Sequence, residues 1–316
     1  MPRLSYDTAE TLIYDPVAAN RTATRSLLYT LGFRRIETVS SLKDMHDSMK
    51  RRPPDLVLCE AQGVESELCQ MIQDLRQGAT GYNPFVVIIV TAWENSGALV
   101  SSVINSGADD LILRPFSAST LGTRILSHVE RRKSFVITTD YVGPDRNKDP
   151  HKRSNVQLFH PPNSLKLKVK EPMTSEEAAQ RLGVMLKSAR EMLNTEKLRR
   201  DAFQVCILWR LVQDNPPGTQ RHDADLAKLR DLTRNVMERC ADTDYRAAVE
   251  HCEAVLGAVE GLEIKVDRNA SMHLLGHAAL SLNQFFTPEK SSTDHLAEID
   301  STVAVIKARE EQALAS

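Results

Sequence analysis

The sequence predicts a doubly wound parallel α/β sheet followed by an all-α helical bundle, and three observations lead there. Short apolar runs alternate with helical patterns as far as Val129. One of those runs, residues 85–90, is apolar on both faces. From Ser175 onward nearly every segment carries the 3.6-residue spacing of an amphipathic helix.

The elements follow in order. Residues 11–15 (Thr-Leu-Ile-Tyr-Asp) read as a strand and 17–31 as the helix after it. A second strand spans 35–39, and a second helix spans 41–49 with Ser41 as its N-cap. Pro53 and Pro54 stop that helix, because proline offers no amide donor. Residues 55–59 form a third strand and 68–75 an amphipathic helix. The run 85–90 (Phe-Val-Val-Ile-Ile-Val) belongs in the middle of a parallel sheet covered on both sides. Helix 99–104, strand 111–113 and helix 120–129 complete the alternation. Right-handed crossovers between five such strands put helices on both faces.

The periodicity vanishes between Thr138 and Met173. This stretch holds Pro144, Pro150, Pro161, Pro162 and Pro172, and its basic residues Arg146, Lys148, Lys152, Arg153, Lys166, Lys168 and Lys170 outnumber Asp140, Asp145, Asp149 and Glu171. It reads as a solvated basic linker, with short extended pieces at 135–137 and 165–169. Beyond it, apolar stripes such as Leu226–Leu229–Leu232–Val236 and Met272–Leu275–Ala279–Leu282 predict a bundle of about five helices. The expected domains are therefore residues 8–135, a linker at 136–173, and a helical interaction or dimerisation module at 174–316.

Composition narrows the function. The chain has 316 residues, a formal net charge of −2, 41% hydrophobic and 26% charged residues, an ordinary globular balance. That charge gives no whole-chain argument for nucleic-acid or membrane binding, and aromatics at 5% are too sparse for a base-stacking platform. The N-terminus shows no apolar leader, and the run 85–90 is far short of the roughly 20 residues of a membrane helix. Five cysteines without a C-x-x-C pair read as free thiols in a reducing cytosol, so the chain is expected to be cytoplasmic.

In a doubly wound sheet the ligand crevice lies at the carboxyl ends of the strands. Asp15, Pro16, Glu60, Thr91 and Arg114 all sit at such exits. With Pro54-Asp-Leu-Val-Leu-Cys-Glu60, Val90-Thr91-Ala92, Ser106-Gly-Ala-Asp-Asp110 and Arg114-Pro115-Phe116, they make residues 10–133 resemble the receiver domain of two-component response regulators. The resemblance implies a flavodoxin/receiver-like fold. It also implies a site where an acidic pair holds Mg²⁺, an aspartate accepts a phosphoryl group, and a hydroxyl and a lysine bind its oxygens.

This sequence departs from that pattern. Pro16 stands where the second acid would be, Glu60 replaces the acceptor aspartate, Arg114 replaces the lysine, and Leu111 replaces the aromatic of the fifth strand. Asp15 and Thr91 keep the expected types. A nucleophile one methylene longer is displaced by about an ångström, which costs orders of magnitude in an in-line transfer. The expectation is a degenerate receiver, without phosphorylation, metal or cofactor, in which a bidentate Glu60–Arg114 pair replaces the switchable link. The family's partner surface, around 98–130, would present Arg124, His128, Glu130, Arg131 and Arg132 to solvent.

In the helical half, His273 and His277 stand four apart. No general-base glutamate follows for metal-assisted hydrolysis, and the pattern His-x-Leu-Lys-Gly of histidine phosphotransfer domains is absent. No glycine-rich phosphate loop, G-x-S-x-G elbow or basic recognition helix is present, and this half is net acidic. The leading expectation is a non-catalytic signalling adaptor that binds other signalling proteins and self-associates. Two alternatives stand beside it: phosphotransfer through His273 or His277, and a DNA-binding regulator, although nucleic acid is not expected as a partner.

Overall fold

Strands that are apolar on both faces are buried only between two helical layers, and the first part of the chain builds that arrangement. In the computed structural model, which describes residues 4–147, 158–170, 174–241, 243–264 and 267–315, β1 (Glu10–Tyr14), β2 (Arg35–Val39), β3 (Leu56–Glu60), β4 (Val87–Ala92) and β5 (Asp110–Leu113) form a parallel sheet. The strand order is β2-β1-β3-β4-β5. Val57, Cys59, Ile88 and Val90 pack with Met45 of α2 (Leu42–Arg51), Leu68 and Ile72 of α3 (Glu65–Arg76) and Val103 of α4 (Gly97–Ser106). The alternate residues Leu56, Leu58, Val87 and Ile89 pack with Leu28 of α1 (Ala18–Thr30) and Leu121 and Ile125 of α5 (Ala118–Arg131). Ser41, Ser96 and Ser117 cap α2, α4 and α5 by accepting the amide three residues on. The order reverses between β1 and β3, which opens a crevice beside their carboxyl ends.

The stretch expected to be a solvated linker is folded wherever it is described. β6 (Phe135–Ile137), β7 (Val142–Pro144) and β8 (Leu158–Phe159) make a small antiparallel sheet in the order β7-β6-β8. Residues 165–169, expected to be extended, lie in helix α6 (Ser164–Lys170). The Asn163 side chain accepts the Lys166 amide at 3.0 Å and starts that helix, so the capping residue overrides the Leu-Lys-Leu-Lys alternation. Leu165 and Val169, one turn apart, enter the core with Leu56 and Val129, while Lys168 reaches Asp55 at 2.7 Å and Lys170 reaches Glu130 at 2.6 Å. Of the linker charges, Lys148, Asp149, Lys152, Arg153 and Glu171 lie outside the described residues.

Arg132 is also not where the helical pattern puts it. Its side chain is buried, donating to both oxygens of Asp109 (2.8 and 3.0 Å) and to the Phe85 carbonyl. The fully buried Arg76 meets the same carboxylate at 2.8 Å and donates to the carbonyls of Pro84, Val86 and Gly107. Both guanidiniums lie over the Phe135 ring, at 5.3 and 5.0 Å. A polar cluster thus fastens β6 to the loops that precede β4 and β5.

Contacts divide the chain into two units, Met1–Met192 and Leu193–Ser316. The second half of the sequence forms α7 (Ser175–Asp214), α8 (Gln220–Ala241), α9 (Ala248–Glu263), α10 (Arg268–Phe286) and α11 (Ser292–Ala315). Leu198, Val205, Trp209, Leu229, Val236, Val255, Leu275, Leu282 and Ile299 share one core. Gly276 is required there, because an added Cβ would stand 2.6 Å from the Trp209 ring. All five cysteines are free, and burial raises each thiol above its ordinary value, to about 12 at Cys206 and Cys252 and about 11 at Cys240. None is thereby a thiolate nucleophile at neutral pH. No helix among the described residues is long and apolar enough to cross a membrane.

Burial works to raise the Asp109 carboxyl, but Arg132 and Arg76 outweigh it and hold the group below the ordinary 3.8. The unfolded chain therefore takes up this proton first. The stabilisation is complete above pH 3.8 and is lost as the pH falls through that value toward the lower folded one. Urea unfolding of the first unit, followed by Trp93 fluorescence in a Trp209→Phe background, should show stability falling below pH 3.8, by at most about 1.4 kcal/mol per pH unit from this group. Asp109→Asn should be less stable at neutral pH and lose that part of the acid dependence.

Candidate functional site

Strand register assembles the crevice. β1 and β3 pair Tyr14 with Cys59, so Asp15 and Glu60 leave the sheet side by side. Glu60 pairs with Thr91 across β3 and β4, and Arg114 follows β5 by one residue. Asp15, Glu60 and Thr91 are buried, and the Arg114 side chain is 8% exposed.

Arg114 lies between the two acids. Its Nε donates to Glu60 Oε2 at 2.7 Å, and its Nη2 donates to Asp15 Oδ2 at 3.1 Å and to Thr24 Oγ1 at 3.2 Å. The pairing is a bridge between carboxylates, not the bidentate clamp on Glu60 expected from sequence. The planar guanidinium carries donors on different edges, which lets one side chain satisfy two acids. Thr91 Oγ1 donates to the same Glu60 Oε2 at 2.8 Å, and the Gln62 amide donates to Oε1 at 3.2 Å. Asp15 Oδ1 accepts the Val17 amide at 2.8 Å and the Asn20 side chain at 3.5 Å. Arg21 Nη1 donates to the carbonyls of Asp15 (2.6 Å) and Pro16 (3.0 Å), and the Phe116 ring lies 4.9 Å from the Arg114 guanidinium.

Asp15, Glu60, Thr91 and Arg114 are therefore one hydrogen-bonded cluster. Pro16 is exposed beside it and contributes only its carbonyl. Leu111 is not part of it: it pairs with Val90 and packs on the apolar side of the sheet that faces α2, α3 and α4. His273 and His277 are exposed on α10. Thr24 and Arg21 were missed by sequence reasoning. The signal for Thr24 was available, since it occupies the buried stripe of α1 one turn before Leu28.

A divalent cation does not fit these residues. Mg²⁺ requires near-octahedral oxygen ligands at about 2.0–2.1 Å. Here the Asp15 and Glu60 oxygens that face each other accept from Arg114, the remaining ones accept from backbone amides, and Pro16 has no side-chain oxygen. The guanidinium supplies the positive charge that the two acids need. No group of three or more metal-ligating side chains occurs among the described residues.

No family model matches the chain, and no curated protein matches it. Solved structures similar to its N-terminal part include response regulator receiver domains. An orphan response regulator of H. pylori is 20% identical, with 40% of this chain and 98% of that one covered and a TM-score of 0.33. A CheY-like receiver domain from Methanospirillum hungatei JF-1 is 18% identical, with coverages of 39% and 95% and a TM-score of 0.35. A signal receiver domain of a two-component histidine kinase from Clostridium thermocellum is 18% identical, with coverages of 39% and 98% and a TM-score of 0.36.

Removing Arg114 strands two buried acids. Arg114→Ala should destabilise the first unit by about 3–5 kcal/mol, read by chemical denaturation at neutral pH. Arg114→Lys should recover part of that loss, because a point charge satisfies one carboxylate well and two poorly.

Proposed function

We propose that this chain is a non-catalytic signalling adaptor of the response-regulator kind, acting in the cytoplasm through partner proteins and self-association. In this reading residues 8–135 are a receiver domain that takes no phosphoryl group, and the helical residues 174–316 are its interaction module. The observation that carries the reading is the Arg114 bridge between Glu60 and Asp15. An acceptor carboxylate needs an oxygen free to attack phosphorus in line, with a cation to neutralise the charge that develops. Glu60 has committed Oε2 to Thr91 and Arg114 and Oε1 to the Gln62 amide. Its extra methylene also displaces it from the position an aspartate would hold. The same hydroxyl and cation that would grip a phosphoryl group instead grip the protein's own carboxylate, so the cation of the crevice is already engaged from within.

The test is direct. Full-length protein incubated with acetyl phosphate and Mg²⁺ should keep its intact mass, and beryllofluoride with Mg²⁺ should leave Trp93 fluorescence unchanged. A mass increase of one phosphoryl group that disappears in Glu60→Gln would overturn the reading. The combined variant Pro16→Asp, Glu60→Asp, Arg114→Lys supplies the missing groups and should gain Mg²⁺-dependent beryllofluoride binding.

A further inference from the structure

The helical unit holds a cleft that the receiver reading does not use. Along α10, His277, Leu280, Ser281, Gln284 and Phe285 recur at the three- and four-residue steps that define one face of a helix. A stripe between two neighbouring helices is ordinarily filled with leucine and alanine. Here polar residues occupy it and leave a cleft of about 490 Å³, closed by His251 of α9 and by Ser292 and His295 of α11. That volume lies within the ~300–1,000 Å³ range of small-molecule sites.

The lining has a definite chemistry. Histidines from three helices line the cleft at separate points, with Ser281 and Ser292, and among the described residues no aspartate, glutamate, lysine or arginine lines it. His295 is buried and held by Asn283 and Thr287. Gln284 is held through its amide by the Lys290 carbonyl. His251, half-buried, and His277, exposed, both line the cleft, and no hydrogen bond to either ring occurs among the described residues. Ser292 and His295 belong to the first turn of the 24-residue α11, which also carries Asp294, a carboxylate that accepts from Ser291 and does not line the cleft. Leu280 and Phe285 supply an apolar wall, and His251 lies 5.9 Å from the Phe285 ring. A metal ion is not the occupant this arrangement suits, since no three ligating groups come together among the described residues.

We propose that this cleft binds a small organic anion with an aromatic or aliphatic body. The acid group is held by His251 and His277 and the body lies against Leu280 and Phe285. A lining with imidazole and hydroxyl donors and no carboxylate of its own selects an anion, and the apolar wall distinguishes an organic acid from a bare inorganic one.

Titration calorimetry of the full chain with phenyl phosphate tests the assignment. Saturable one-site binding is expected, with inorganic phosphate (no body) and benzyl alcohol (no acid) each at least about tenfold weaker. The double variant His251→Ala, His277→Ala should lose about tenfold or more in affinity while keeping its helical circular dichroism. Ser281→Phe keeps both histidines and fills the cleft, so it should abolish binding and serves if the double variant does not fold. Absence of saturable binding, equal affinity for inorganic phosphate or benzyl alcohol, or unchanged affinity in Ser281→Phe would each overturn the proposal.

Discussion

Two carboxylates buried at the end of a parallel sheet need a cation between them, and the N-terminal crevice is organised by that requirement. Asp15 and Glu60 are brought together by the register of β1 and β3, which the hydrophobic pattern of those strands fixes. Unpaired, either charge would cost several kcal/mol in such surroundings. Arg114 satisfies both, and the remaining lone pairs go to the Thr91 hydroxyl and to the amides of Val17 and Gln62. The identity of the cation matters as much as its charge, because only a planar fork with donors on separate edges bridges acids that leave different strands.

The other end of the sheet solves the inverse problem. There one carboxylate, Asp109, is shared by Arg76 and Arg132, whose remaining donors take up the carbonyls of Pro84, Phe85, Val86 and Gly107 before β4 and β5 begin. Those loop carbonyls have no strand partner, so two buried guanidiniums complete the hydrogen bonding that the sheet leaves open. The same two cations lie over Phe135, and through it the small sheet β6–β8 becomes part of the first unit. Part of the positive excess read in the sequence after this point is likewise used internally, Lys168 pairing with Asp55 and Arg146 donating to the carbonyls of Ala108 and Asp109.

Much of this was legible in the sequence, and the limits have physical causes. The five strands and the helical half follow from periodicities of 2 and 3.6, which burial enforces along whole segments. The exits Asp15, Glu60, Thr91 and Arg114 follow from topology, because a doubly wound sheet gathers strand ends in one place. Arg132 could not be found that way: it ends a helix with a charged face, and only the tertiary position of Asp109 draws it inward. Helix α6 was hidden by an alternation typical of strands, although Asn163 after two prolines was a capping signal in plain view. The bridging form of the Arg114 contact depends on a few ångströms of side-chain reach, which no pattern of residue types encodes. The cleft of α9, α10 and α11 is equally invisible, since it arises where polar residues on one helix stripe meet histidines distant in sequence.

A conformational switch needs two arrangements separated by a few kcal/mol and a ligand that prefers one of them. In the crevice the anion and the cation belong to the same chain, and parting them exposes buried charges at a cost comparable to that whole gap. Under the proposed reading, the state of the N-terminal unit is therefore set by the sequence and is insensitive to phosphoryl donors. Chemical information must then reach the protein elsewhere, through contacts with partners or through small molecules. Uncommitted imidazoles in an open cleft meet that condition, because a ligand that takes up His251 and His277 gains hydrogen bonds without breaking any the protein already holds.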